Sequence, residues 1–355
     1  MKSFNRISIL AFLLLLGIGL SACKSSPEDT DETSVVETDS EQETEQRVEK
    51  GTDNQGDARS GEAEMPTLPE GHARVDIRRG ALLLDGEQVA TLDGIEVPAA
   101  AKEGGESGLV VTPLSSALGT SYTESESARL EHVQIVASPE IGYRTVVEVM
   151  FTAARMGVGD FSFALGAPVR PGPMEITEKV DLQLPKISTN ALGASGDQEK
   201  RLDLSVAVVA NGFRVGAFGV PRPPIDGCDE EGPNVCLRDQ ATDTAALFAD
   251  ARAAYASGEA ERGHELLEKA AQSYDFAGLY SVLVELDKQR PDEDTIKIAA
   301  DADIPVLLVF ELMEHASIRL PNDSYESAES YRAARAEAGA DAERLFGDPV
   351  LAIVQ

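Results

Sequence analysis

The feature that most restricts how this chain can fold is an internal repeat. Residues Val133 to Ala153 align without gaps on Ile296 to Ala316, at an offset of 163 and with seven identities. These are Ile135/Ile298, Ala137/Ala300, Ile141/Ile304, Val146/Val309, Glu148/Glu311, Met150/Met313 and Ala153/Ala316. In each copy apolar residues first alternate. After a turn they recur three and four apart, as at Val146, Val149, Met150 and Ala153. Alternation is the period of a half-buried strand, and the wider spacing is that of an amphipathic helix. The unit is strand, turn, helix, and it occurs twice. Equivalent positions in two copies imply equivalent core positions. The roughly 285 residues after position 70 therefore read as two similar domains.

A second pair of markers lies upstream. Leu84-Asp85-Gly86-Glu87-Gln88-Val89 matches Ala210-Asn211-Gly212-Phe213-Arg214-Val215. Asp-Gly and Asn-Gly between apolar strands are strong hairpin signals, because both central residues tolerate positive φ. On this match the offset is 126, which leaves 37 extra residues in the second copy before its strand-helix unit. A loop bracketed by Cys228 and Cys236 and a helical pair from about Thr242 to Tyr274 account for them. Within that pair Ala251, Gly258, Gly263, Leu267 and Ala270 fall where a tetratricopeptide-like hairpin places small and apolar residues. A single such unit cannot bury its own face. It reads either as an insertion packed on the second domain or as a hairpin that docks another protein. The expected fold class is α+β: two tandem domains, each a short sheet with helices on one face, the second carrying the insertion.

The N-terminus has a different character. Lys2 and Arg6 precede fourteen residues, Ile7 to Leu20, that carry no charge, and Leu20-Ser21-Ala22-Cys23 closes the stretch. Fourteen residues are too short to span about 30 Å of hydrocarbon comfortably. A short apolar run ending in small residues is the signature of an export signal that is removed. The segment resembles the lipobox of bacterial lipoproteins, which implies cleavage before Cys23 and acyl chains on its thiol. An ordinary secretory signal with an incidental cysteine is the alternative. Lys24, in place of an aspartate, favours the outer over the inner membrane under the usual sorting rule. Residues 24–70 hold fifteen acidic and four basic side chains, a net of −11, and no aromatic ring. Such a stretch cannot offset its ordering entropy and is expected to be an extended, disordered tether.

Charge and cysteine use narrow the function. With 62 acidic against 31 basic side chains, the chain lacks the surplus of lysine and arginine that nucleic-acid phosphates demand. Besides Cys23 the only cysteines are Cys228 and Cys236, bracketing a polar run. In an oxidising compartment such a pair is expected to bond. A metal reading lacks ligands, since no histidine lies near. Of the four histidines, His72, His132, His264 and His315, none sits in a metalloprotease helix, because His264-Glu265 has no following histidine at the required spacing. Each reads as a surface or strand-edge residue. Asp301 and Asp303 read as a solvated strand end and Glu311 as one helix position. No catalytic residue, cofactor or metal is expected.

The second copy also has an ordered series of motifs. It runs Val180-Asp181-Leu182-Gln183-Leu184-Pro185, a strand with Asn211-Gly212, a helix from Phe276 to Lys288, and Gln289-Arg290-Pro291-Asp292-Glu293. Ile296 to Asp303, Ile304-Pro305 and a helix bearing Met313 follow. This order resembles the periplasmic domain of the ExbD/TolR biopolymer-transport family, over residues 67–168 and 174–355. The first copy is the more degraded, with Gly142 in place of the proline. With the N-terminal reading, this divides the chain into a signal peptide (1–22), anchor and tether (23–70), a first domain (71–168), an extended linker (169–199) and a second domain (200–355). It departs from the family at the membrane. There an uncleaved helix carries an aspartate for proton-driven coupling, whereas Ile7 to Leu20 holds no acid and would be cleaved off.

What remains implied is an envelope binding or scaffolding protein. Its partners would be an envelope protein, peptidoglycan or a TolQ/ExbB-like motor. The alternative is a general lipoprotein scaffold that docks proteins through the helical hairpin. Short sheets expose edges that invite pairing. The two copies are therefore expected to pair edge to edge as an internal pseudo-dimer in a monomeric chain. That pairing would leave Leu184-Pro185 free to add as a strand to a partner.

Overall fold

The computed structural model describes residues 68–123, 130–167, 174–180, 204–217, 220–221, 224–291, 294–338 and 342–352. In the first half, β1 (His72–Arg78), β2 (Ala81–Leu84) and β3 (Glu87–Thr91) form an antiparallel meander. A two-stranded ribbon of β4 (Lys102–Glu103) and β5 (Val110–Val111) leads into α1 (Thr112–Thr123). The repeat unit supplies β6 (His132–Ala137) and α2 (Tyr143–Arg155), and β7 (Asp160–Ala167) and β8 (Glu175–Val180) complete the sheet. Its order is β3-β2-β1-β6-β7-β8, with β1, β6 and β7 parallel. Strand alternation sends Ala73, Val75 and Ile77 to the helix-covered face, where all three are fully buried.

The second half repeats this plan. β9 (Ser205–Val209) and β10 (Gly212–Ala217) form a hairpin, extended by β11 (Val220–Pro221) and flanked by β12 (Val235–Cys236). The helices α3 (Thr244–Ser257), α4 (Ala260–Ser273) and α5 (Phe276–Gln289) follow. Then come β13 (Thr295–Ala300), α6 (Val306–Ser317), α7 (Ala328–Glu337) and β14 (Asp348–Leu351). The sheet order is β11-β10-β9-β13-β14, with β9, β13 and β14 parallel. Among the described residues there are seven α-helices and three sheets, a mixed α and β architecture. None of those helices is long and apolar enough to cross a membrane.

The offset of 163 carries through to the elements. His132 and Thr295 begin β6 and β13, and Tyr143 and Val306 begin α2 and α6. The upstream match needs correction. Val75 pairs with Ile135 in one sheet and Val206 with Ile298 in the other, so Val75 and Val206 are equivalent at an offset of 131. The turn that corresponds to Ala210-Asn211 is Arg79-Gly80, not Asp85-Gly86. Asp85 and Gly86, with φ of 49° and 87°, make the next turn, between β2 and β3. The second copy's extra length before the repeat unit is therefore 32 residues rather than 37. Asp-Gly is a true hairpin signal here, but it marks a different hairpin from its Asn-Gly counterpart.

The inserted pair forms as its glycines suggest. Asp243 caps α3 by accepting from the Ala246 amide at 2.9 Å, and Gly258 ends the helix at φ 85°. Gly263 lets α4 lie on the Tyr255 ring, since a Cβ there would come within 2.7 Å of it.

The two halves meet in a way the edge-to-edge expectation missed. β3, β8, β11 and β14 end the sheet orders, and among the described residues no strand of one sheet pairs with the other. Contact comes where the turn before α2 crosses the turn before α6. Gly142 bridges Pro305, its equivalent in the repeat, in antiparallel fashion. The Tyr143 amide donates to the Ile304 carbonyl at 2.9 Å and the Val306 amide to the Ile141 carbonyl at 2.8 Å. Further out, Arg144 donates to the Ala302 carbonyl at 3.2 Å and Leu307 to the Pro139 carbonyl at 3.3 Å. Each bond in both pairs maps onto its mate by the offset of 163. The domains are thus related by a pseudo-twofold axis through Gly142 and Pro305. Proline is tolerated at this crossing because the flanking amides make the bonds. The Phe163 and Phe310 rings meet edge to face at 5.9 Å, and one hydrophobic core runs through both domains.

Candidate functional site

A cleft of about 790 Å³ opens between the inserted hairpin and the second domain. That volume lies within the range of ligand-sized sites. One wall is the face of α4 bearing Ala260, Glu261, His264, Glu268 and Ala271, spaced three and four apart. The facing wall is α7, with Ala328, Tyr331, Arg332, Arg335 and Ala336. The floor comes from Phe276 and Ala277 of α5, Leu307, Glu311, Glu314 and His315 of α6, and Pro139 and Leu165 of the first domain. The walls differ in charge: α4 brings two glutamates, and α7 brings two arginines. An ion pair joins α7 to the floor, Arg335 to Glu314 at 3.1 Å, and within the α4 wall the His264 ring lies 3.2 Å from the Glu268 carboxylate.

The floor is a stacked aromatic column. The His315 ring lies 4.0 Å from Phe276 at 12° and 5.3 Å from Tyr331 at 20°. His315 Nδ1 is 2.6 Å from the Tyr331 hydroxyl, and Nε2 is 3.4 Å from Glu311. Burial, with the charges of Arg335 and Arg332, holds the imidazole well below its ordinary pKa. The neutral ring therefore accepts from Tyr331 at Nδ1 and turns its Nε2 proton toward Glu311, a tautomer assigned from these partners. Burial raises the Glu311 carboxyl, with Arg335 opposing. The connection Tyr-His-Glu has the order of an activated nucleophile. Here burial pushes the Tyr331 hydroxyl upward, away from ionisation, and the residue is only 2% exposed. The column is suited to holding shape.

A second polar cluster sits where α3 meets the pseudo-twofold axis. Glu140, in the turn between β6 and α2, is 1% exposed, and burial raises its pKa to about 7 against the opposing charges of Arg79 and Arg252. Its Oε2 and the Nε of Arg252 have no hydrogen-bond partner among the described residues. A third group, buried Glu148 of α2, is satisfied by Lys102 at 3.0 Å and Arg144 at 2.9 Å and reads as structural.

The residues singled out from sequence fall as follows. Cys228 and Cys236 are joined by a disulfide, Cα to Cα 5.5 Å. Just beyond it, the Arg238 amide donates to the Ser273 carbonyl at 2.9 Å, fixing Arg238 at the end of the α4 wall. Cys23, Leu184 and Pro185 lie outside the described residues. His72 and His132 pair at the starts of β1 and β6, and His264 lies on the surface of α4, as read. His315 does not: it is 7% exposed inside the second domain. Nine of the twelve positions of α6 are buried, His315 among them, although it follows Glu311 and Glu314 in sequence. Asp301 and Asp303 are exposed at the end of β13, whereas Glu311 lines the cleft. Among the described residues no group of three or more side chains is arranged to hold a metal. Sequence reasoning missed Glu140, Arg252 and Tyr331. Comparison with protein families yields no match, and comparison with curated proteins yields none either.

Proposed function

We propose that this chain is a non-catalytic docking protein of a bacterial cell envelope, anchored by acyl chains on Cys23. In this reading two ExbD/TolR-like periplasmic domains are fused into one internal pseudo-dimer, and the cleft receives a segment of a partner protein. The observation that carries it is the reciprocal pairing of Ile141 to Tyr143 with Ile304 to Val306, since equivalent residues meet as they would in a symmetric dimer. An axis occupied within the chain leaves its other surfaces for partners. The inserted hairpin, present in one copy only, breaks the symmetry and provides a wall of the cleft. Fold alone does not fix function, so a TolQ/ExbB-like motor and peptidoglycan stand as candidate partners of the family type. The competing scaffold reading, in which the hairpin alone docks proteins, draws on the same cleft wall.

Site-directed photo-crosslinking from position 332 in intact cells tests this. A discrete adduct with an envelope protein, missing when the probe sits at exposed Asp160, supports the reading. Equal labelling from both positions contradicts it. Binding of the purified protein to cell-wall sacculi, undiminished when the cleft is altered, shifts the assignment to peptidoglycan recognition elsewhere on the fold.

A further inference from the structure

The pseudo-twofold axis sets one acid of each copy beside the inserted hairpin. Glu140 and Asp303 are equivalent at the offset of 163, each in a turn that meets the other at the axis. Arg252 of α3 responds to both. Its guanidinium donates to the Asp303 carbonyl, and its charge acts on Asp303, Glu96 and Glu140. From the β1–β2 turn Arg79 donates to the Arg252 carbonyl at 3.3 Å and faces Glu140. From α3, Tyr255 faces Glu140 and also Glu268. Arg79, Arg252 and Tyr255 are thus the charged and titratable groups that address Glu140, with Glu96 and Asp303 competing for Arg252.

Two facts make this cluster unlike a simple salt bridge. The Glu140 carboxyl is enclosed, yet one oxygen accepts no hydrogen bond among the described residues. Its ionised form is therefore poorly solvated where it lies. In addition, α3 packs chiefly on α4, so the hairpin is a unit of its own laid over the axis. It is held to the rest of the fold by Phe248, Ala251, Ala254 and Tyr255 on the buried edge of α3, and by Leu267 and Ala270 of α4. Hydrogen bonds from the Thr244 hydroxyl to the Ala210 carbonyl and from the Arg238 amide to the Ser273 carbonyl add to those of Arg79 and Arg252.

We propose that the inserted hairpin is a movable wall whose docking is opposed by ionisation of Glu140, so that the cleft widens as pH rises, an inference that rests on the cleft being the docking site. The sign follows from linkage. Docking covers the carboxyl and raises its proton affinity, so the docked hairpin binds the proton more tightly than the open one. The contribution is complete below the ordinary glutamate range and is lost as pH rises through about 7. Arg79 and Arg252 reduce the effect, and desolvation outweighs them. Because α4 rides on α3, and Tyr255 belongs to both the cluster and the cleft, release at the axis moves the acidic wall.

Hydrogen exchange on the full chain tests this without any partner. Between pH 4.5 and 8.5, α3 and α4 amides should lose protection relative to β13 and α6 by on the order of a hundredfold. In Glu140→Gln the ratio should stay flat. Unchanged relative protection in the native protein, or the same pH dependence in Glu140→Gln, overturns the proposal. Should the variant fail to fold, carboxyl-carbon NMR titration of Glu140 in the native chain decides. A midpoint near 7 supports the wall, and one in the ordinary glutamate range refutes it. A flat exchange profile together with a position-specific crosslink would end the pH device while leaving the docking reading intact. The reverse pair of results would do the opposite.

Discussion

Gly142→Ala should destabilise the protein, although alanine is the better residue on almost every local ground. Gly142 caps α2 at φ −68° and ψ 143°, a conformation open to any residue. Replacing glycine there lowers the entropy of the unfolded chain, a gain of roughly 0.4–1 kcal/mol. The cost is at the axis. A Cβ at position 142 would sit 2.9 Å from the Ala302 carbonyl oxygen of the other domain, and the obstruction is backbone that cannot rotate away. Relief requires the domains to separate by a few tenths of an ångström, which stretches the four reciprocal hydrogen bonds. Overpacking of this kind costs typically 1–3 kcal/mol. The net expectation is a loss of about 1–2 kcal/mol, or roughly 2–6 °C in Tm for a unit of this size. Calorimetry and urea unfolding of a chain beginning at Leu68 measure it. Stability equal to or above that of the parent would mean that the two turns are not in contact, and the pseudo-twofold interface would fall with them.

Other consequences follow from the same geometry. Tyr143→Phe removes a hydroxyl that donates to the Ala352 carbonyl at 2.7 Å, and thermal unfolding should report a loss of about 1–2 kcal/mol. His315 is held neutral in the fold and takes up a proton on unfolding, so its contribution is present above about 6.5 and lost as pH falls below it. His315→Gln should therefore flatten the acid side of the stability profile, and an unchanged slope would remove His315 as its cause. Reducing the Cys228–Cys236 bond should cost about 2–3 kcal/mol and loosen Arg238 at the cleft without unfolding the domain, which thiol labelling and urea titration can follow. Cys23→Ser should leave the protein unacylated, and a mature, membrane-bound Cys23→Ser chain would refute the anchor.

How much of this was legible depended on whether the signal was local. The order strand, turn, helix was legible because both copies preserve it without insertion, and Ile135 and Ile298 do occupy equivalent core positions. The helical pair was visible because Gly258 and Gly263 each serve a need no other residue meets as well. The hairpin match erred because Arg79-Gly80 is a weak turn signal beside Asp85-Gly86, so the stronger dipeptide attracted the alignment. The cleft was invisible for a different reason. Pro139, His264, His315 and Tyr331 are far apart in the chain, and α7 has one buried residue, Tyr331, which gives no period to read. Glu140 gave no sign either, because the charged groups that face it, Arg79 and Arg252, lie about sixty residues before it and more than a hundred after it.

The central claim is that one chain contains the dimer within itself, and its mass in solution tests this most directly. Light scattering on a chain beginning at Leu68, across a range of concentrations, should return the mass of a single copy throughout. A stable species of twice that mass would mean that Gly142 and Pro305 pair between chains rather than within one, and the fused pseudo-dimer would have to be abandoned.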